Sequence, residues 1–239
     1  MIFPAPLGKI LAYSSEDGGS LVLFDISARK TLHELSVTDV RAVYWNANQT
    51  YAAVVAKSQI FLVTKNLEVV NQQKESAKIK TGCFDGDNNA FIYSTSTHIK
   101  YMFSGEVGAS TKPASGTFKS IDEPVYVAFF MKNQVFAFNR QGELAQQEVN
   151  NTDYLFKMAL QQKNLNEVKE ILSTGNLCGH SIVGYLKEQG HSEIALFFEK
   201  DVRQRFNLAL ASGNINVAFE AAKELKEKDN FNKLAQTAL

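Results

Sequence analysis

The chain has 239 residues, 45% of them apolar and 21% charged, which excludes disordered and collagen-like classes and allows one or two cores. Lys plus Arg number 25 and so do Asp plus Glu, so no overall field draws the chain onto nucleic acid or an acidic membrane, and partners must be recognised by local shape and charge. The two cysteines, Cys83 and Cys178, fall in different halves, as expected of buried free thiols in a reducing compartment rather than of a disulfide framework.

Residues 1–11 lack a basic region, a long apolar segment and a small-residue cleavage site, so no signal peptide is expected. No apolar run approaches the roughly 20 residues that span a bilayer. The chain is therefore expected in the cytosol, with any membrane attachment peripheral and the sequons at Asn48 and Asn150 unused.

From residue 20 to 149, short β-branched and aromatic runs broken by turn residues predict consecutive antiparallel strands. They fall at 20–25, 31–35, 40–45, 51–56, 59–64, 68–73, 78–84, 90–94, 98–103, 125–130, 134–139 and 144–149. Turns are expected at Asn46-Ala47-Asn48, Asp85-Gly86-Asp87-Asn88-Asn89, Ser104-Gly105 and Arg140-Gln141-Gly142. Trp45, Phe84 and Phe130 each close a strand and are followed by Tyr51, Phe91 and Phe136 in the next. That repeat, about 40 to 45 residues long, is the period of a four-stranded propeller blade. Phe24-Asp25 sits where a WD-type blade carries its aromatic–Asp pair. The stretch 105–123, rich in Gly, Ser, Thr and Lys with Pro113 inside it and Pro124 after it, predicts a surface loop within a blade.

From Thr152 the period becomes helical, with helices expected at 152–161, 165–174, 181–189, 192–199, 202–211, 215–226 and 230–239. Asn164 with Glu167 reads as a capping box, and Gly175, Gly190 and Gly213 as helix stops. This half repeats at an offset of 50: Phe156 with Phe206, Ala159 with Ala209, Leu160 with Leu210, Asn164 with Asn214, Asn166 with Asn216 and Glu170 with Glu220. Stacked helical hairpins, an α-solenoid, follow from that duplication. The fold class is thus a partial WD40-type β-propeller of about three blades, 1–150, running into the start of an α-solenoid, 151–239. Both ends read as cuts, because a propeller closes with four or more blades and a solenoid ends in a polar repeat; a chain with such bare ends is expected to be poorly soluble alone.

No constellation of nucleophile, base or metal ligands emerges. His33, His98, His180 and His191 are scattered, and His191 with Glu193 is a lone H-x-E without a cysteine pair. Gly18-Gly19 and Gly105 spell no phosphate loop, and Glu16-Asp17 and Asp122-Glu123 sit beside turns as solvated charge. The run Lys223-Glu224-Leu225-Lys226-Glu227-Lys228 makes a wet helix face. Lys74, Lys78 and Lys80 form a modest basic cluster that suits lipid phosphates, an acidic partner or plain solubility. No catalytic, cofactor-binding or metal residue is assigned, no cofactor is expected, and no partner interface is located.

Several runs carry a family resemblance. The order Ser20-Leu21-Val22-Leu23-Phe24-Asp25-Ile26, Lys30-Thr31-Leu32, Val43-Tyr44-Trp45, Phe91-Ile92-Tyr93-Ser94-Thr95-Ser96 and His98-Ile99-Lys100-Tyr101 resembles the second propeller of coatomer alpha subunits. Asp153-Tyr154-Leu155-Phe156-Lys157-Met158-Ala159-Leu160 resembles their entry into the solenoid. Gly179-His180-Ser181-Ile182-Val183-Gly184-Tyr185-Leu186, Gly190, Glu193-Ile194-Ala195-Leu196, Arg205-Phe206, Leu208-Ala209-Leu210 and Gly213-Asn214 continue the likeness. The resemblance implies a structural, non-enzymatic subunit of the COPI vesicle coat in Golgi-to-ER retrograde and intra-Golgi transport, peripheral on Golgi membranes. It implies solenoid contact with the beta-prime subunit, an epsilon subunit held by a region without counterpart here, and recruitment of the whole coat by an Arf-type GTPase. It implies no nucleic acid and no small-molecule substrate. The first propeller, which reads dilysine tails on cargo, also has no counterpart, His180 stands where relatives usually carry glutamine, and 105–123 is longer than the pattern requires. Coatomer beta-prime, a clathrin-like or intraflagellar-transport-like scaffold, and an enzyme on a propeller frame are the alternatives.

Overall fold

The computed structural model describes residues 1–15, 18–86, 89–105, 113–173 and 179–237, without the side chains at 165, 172–173, 179–181 and 228. Glu16-Asp17, Asp87-Asn88, Gly175, Cys178 and the His180 side chain lie outside the described residues. Two compact units result, Met1–Ser173 and Thr174–Leu239.

Among its described residues the first unit contains four antiparallel sheets, each built from strands consecutive in sequence. They are β1 (Ile2–Pro4), β2 (Ile10–Ser14), β3 (Ser20–Asp25) and β4 (Lys30–Ser36); β5 (Ala42–Trp45), β6 (Tyr51–Val55), β7 (Gln59–Thr64) and β8 (Val69–Lys74); β9 (Gly82–Asp85), β10 (Ala90–Ser94), β11 (His98–Phe103) and β12 (Ser115–Ser120); and β13 (Tyr126–Met131), β14 (Gln134–Phe138) and β15 (Leu144–Glu148). Successive side chains of a strand point to opposite faces, so a sheet packed on both faces needs an unbroken apolar run. β6 shows this: Ala52 and Val54 pack against Ala12, Leu21 and Leu23 of the first sheet, while Ala53 and Val55 pack with Phe91, Tyr93 and Met102 of the third. Phe118 stacks on Phe130 at 5.5 Å between the third and fourth sheets. These are propeller blades side by side.

Four sheets stand where the period suggested about three blades, because β1, β2 and β12 were not foreseen. β12 lies inside the stretch expected to be a loop, and the cause is packing. Gly116 pairs with Tyr101, and a Cβ there would collide with the Tyr101 ring and hydroxyl. The loop-like composition of 115–117 is thus room for an aromatic side chain. A bulge between Val127 and Phe129 also shifts the aromatic repeat: Phe136 pairs with Phe129, not Phe130, and stacks on it at 4.3 Å. Phe24-Asp25 ends β3, where Asp25 accepts a bond from the Ala28 amide at 2.8 Å and closes its own turn.

Helices α1 (Thr152–Gln161) and α2 (Leu165–Ser173) belong to the first unit. The change from strand to helix therefore falls near residue 150, and the break between compact units after Ser173. The second unit contains α3 (Gly179–Glu188), α4 (Ser192–Ala195), α5 (Val202–Ala211), α6 (Ile215–Leu225) and α7 (Lys228–Thr237). α4 is four residues long where eight were expected. After Ala195 the amides of Phe197 and Phe198 bond three residues back, tightening the chain out of α geometry, and Asp201 then caps α5 by accepting from the Gln204 amide at 2.8 Å.

The 50-residue duplication is reproduced in atomic detail within each unit. Phe156, Ala159 and Val168 are buried in the first, Phe206, Ala209 and Ala218 in the second. The Asn164 amide bonds Ala159 O at 2.8 Å as Asn214 bonds Ala209 O at 2.9 Å, and both asparagine side chains cap the following helix. Each preceding residue is left-handed, Lys163 at φ 57° and Gly213 at φ 71°.

Candidate functional site

Within the first unit, α1 is clamped onto the ends of the third and fourth sheets. Its Phe156, Ala159 and Leu160 share one face at helical spacing and are buried, and Tyr154 beside them is 1% exposed. The Tyr154 ring lies 5.1 Å from Tyr101 and 5.1 Å from Phe103, one edge-on and one stacked, with Phe118 at 5.4 Å and Phe130 at 5.8 Å. Such geometries align ring edges with ring faces and add to the burial itself.

Polar bonds frame this aromatic cluster. The Tyr154 hydroxyl donates to the Asp85 carboxylate at the end of β9. The Tyr101 hydroxyl donates to Asp153 at 2.5 Å. Lys157 donates to Asp153 at 2.7 Å and to Ser115 O at 3.1 Å, and Gln161 donates to Ser104 O. Asn151 does not cap α1; its side chain donates to Lys132 O at 3.1 Å, tying the helix start to the β13–β14 turn. Titratable groups converge here, and the bonds from Tyr154 to Asp85, from Lys157 to Ser115 O and from Gln161 to Ser104 O join helix to sheet, so the arrangement fastens α1 in place.

The sheets are tied to each other by similar devices. Glu75, whose side chain is 3% exposed, accepts from Lys100 at 2.8 Å and from the Tyr93 hydroxyl at 2.7 Å across the second and third sheets. Burial, with the Glu75 carboxylate adding, pushes the Tyr93 phenol well above its ordinary range. Asn71 donates to Phe103 O at 2.7 Å, and Asn46 donates to Asn89 at 2.9 Å. Cys83 on β9 is a free thiol pushed up to about 12, chiefly by burial, with the Asp85 charge raising it further and a backbone bond to Phe130 opposing.

The residues weighed in sequence are not brought together into one site. His33 is exposed on β4, His98 sits on β11 with Nδ1 2.8 Å from the Thr97 hydroxyl, and His191 precedes α4. Asp122 and Glu123 are exposed in the β12–β13 connection. Lys223 pairs with Glu220 at 3.1 Å and lies 4.4 Å over the Phe219 ring, and Glu227 pairs with Arg203. Among the described residues no group of three or more His, Cys, Asp or Glu is placed to hold a metal ion. No described helix is long and apolar enough to cross a membrane. Sequence reasoning missed the joint: Asp85 read as a turn residue, and only the aromatic density of 101–103 with Tyr154 signalled it.

Comparison with known proteins gives the context. The chain is 36% identical over all 239 residues to Coatomer subunit alpha-2 of Arabidopsis thaliana, and 36% identical over the same span to Coatomer subunit alpha of Dictyostelium discoideum. In each case it spans 19% of the relative's length. Among solved structures, the Cps50 (Swd1) beta-propeller domain of Myceliophteria thermophila matches with a TM-score of 0.50 at 10% identity, covering 62% of this chain and 50% of that one, a likeness of fold alone. The profile of the family described as COPA/B second beta-propeller matches residues 1–139, more than half of the chain and all but the last of its strands, and the chain belongs to that family.

Proposed function

We propose that the chain is a structural, non-catalytic segment of the COPI coat, supporting Golgi-to-ER and intra-Golgi vesicle transport. In this reading residues 1–150 are the C-terminal part of a propeller, and 151–239 open an α-solenoid whose continuation meets the beta-prime subunit. The epsilon subunit binds elsewhere on the longer polypeptide, an Arf-type GTPase recruits the assembled coat, and the protein works in the cytoplasm, peripheral on Golgi membranes and coated vesicles.

The observation that carries this reading is the 36% identity to a coatomer alpha subunit over all 239 residues, sheets and helices together. The joint around Tyr154 supports it, since it fastens the first helix to the sheets within one compact unit, as a scaffold running from propeller into solenoid requires. The test is affinity purification of the full-length protein bearing this segment. Recovery of the other coatomer subunits in near-equal amounts is the expected result. A clean purification without any of them, or with a different coat complex, overturns it.

A further inference from the structure

Strands of an antiparallel sheet alternate direction, so in each four-stranded sheet the turn between its second and third strands and the exit from its fourth lie at the same end. For the second and third sheets these are residues 56–58, 75–81, 95–97 and 121–125. Backbone bonds tie them into one rim: the Glu75 amide to Ser58 O, the Lys80 amide to Ser94 O and the Ile121 amide to Thr97 O, each 2.8 Å. α1 is bonded at the opposite end, to Asp85, Ser104 and Ser115.

Lys57, Lys74 and Lys78 are exposed on this rim and Lys80 is half-buried. Glu75, the acid nearest them in sequence, is held below the surface by Lys100 and Tyr93. No ion pair among the described residues engages the four ammonium groups. Ser58, Ser76 and Ser96 place hydroxyls between the lysines, and none of the exposed large apolar side chains lies in these loops. Asp122 and Glu123, on the exit from the third sheet, are exposed acids of the same rim.

We propose that this lysine rim docks on the anionic phosphate layer of a lipid bilayer, turning the face opposite α1 toward the membrane. The proposal rests on the coat reading and adds which face meets the membrane. Long, separately mounted ammonium groups with hydroxyls between them suit a diffuse phosphate surface, whereas a peptide partner is held by apolar or aromatic anchors in pockets. A lysine near an anionic leaflet contributes about five-fold in binding.

The test is flotation of the 239-residue chain with phosphatidylserine–phosphatidylcholine vesicles against pure phosphatidylcholine vesicles at low and high salt, with a vesicle-free control for self-association. Expected is binding to the anionic vesicles alone, abolished by salt, lowered roughly 25-fold by Lys74→Gln with Lys78→Gln, and kept when the four lysines become Arg. Asp122→Asn should strengthen it. Equal binding to neutral vesicles, or Gln variants that float like wild type, overturns the proposal. So does wild-type chain that ignores vesicles but is retained on immobilised polyglutamate, which assigns the rim to an acidic protein. Co-purification of the full-length Gln variant with coatomer subunits separates the two failures: its persistence while flotation shows no dependence on the lysines sinks the lipid surface alone.

Discussion

Replacing Tyr154 by Ala removes the ring around which Tyr101, Phe103, Phe118 and Phe130 converge. Truncating a buried aromatic to Ala costs about 3–5 kcal/mol, and losing the hydroxyl's bond to the Asp85 carboxylate removes a further interaction of about 1.5–3 kcal/mol. The two overlap, and about 4 kcal/mol is a conservative figure for Tyr154→Ala. Unfolding entropy near 2.1 cal/mol/K per residue over the 173 residues of the first unit gives about 0.36 kcal/mol/K, so Tm should fall by roughly 10 °C. Tyr154→Phe keeps the ring and should lower it by about 4–8 °C. The assay is thermal melting at sub-micromolar concentration with hydrogen exchange read along the chain. In Tyr154→Ala the α1 amides should lose protection before those of β6 and β10. A Tm drop below about 3 °C, or α1 amides protected as in wild type, would refute the claim that this cluster fixes the helix to the sheets.

Gly116→Ala should cost about 1–3 kcal/mol by urea denaturation, because the added Cβ meets a Tyr101 ring that its bond to Asp153 keeps in place; an unchanged midpoint would show that β12 can shift freely. Raising pH should destabilise the chain: the folded state holds the Cys83 proton up to about 12 against an ordinary 9.0, so stability is full below pH 9 and is lost as pH rises through that window. The Tyr44 and Tyr93 phenols, raised chiefly by burial, steepen the loss, Cys83→Ala should flatten its first part, and urea midpoints independent of alkaline pH would contradict the assignment. Lys163→Gly relieves a left-handed lysine at the position where the duplicate carries Gly213, and should stabilise by about 0.5–1 kcal/mol where Gly213→Lys destabilises by about 1 kcal/mol. Phe129, Met131, Phe138 and Leu144 are exposed neighbours on the fourth sheet, so the chain should self-associate as concentration rises; sedimentation velocity should show Phe129→Lys with Phe138→Lys reversing this, and a wild-type chain that stays monomeric would disprove it.

Strand-by-strand reading succeeded where burial on both faces leaves a strong apolar signal. β3, β7, β10 and β11 fall at the expected residues, as do α1 and α5. It failed where composition serves a neighbour's shape. Ile2–Pro4 is a three-residue strand interrupted by no turn pattern of its own, and Ser115–Ser120 resembles a loop because Tyr101 needs the space above Gly116. The polar half of the joint was illegible for a different reason. Asp85, Ser104 and Ser115 are turn-type residues in sequence, and only the antiparallel order of the sheets brings them to one end, where Tyr154, Gln161 and Lys157 meet them. The lysine rim was half legible: 74, 78 and 80 are close in sequence, whereas Lys57 joins them through the backbone bond between Glu75 and Ser58.

The duplicated hairpins separate what builds a solenoid repeat from what attaches it. Between α1 and α5 the buried Phe and Ala positions, the left-handed turn and the asparagine cap are kept. The residues that grip the sheets are not: Asp153, Tyr154, Lys157 and Gln161 correspond to Arg203, Gln204, Asn207 and Ala211, all exposed in the second unit. If the clamp residues served the helical repeat itself, the duplicate would need them too. Their replacement by exposed residues means the repeat folds on its core and turn alone, and the clamp is an addition specific to the hairpin that meets the sheets. Substitution at Tyr154 or Lys157 should therefore loosen attachment while leaving the hairpin's own turn hydrogen bonds intact, whereas substitution at Asn164 should do the reverse.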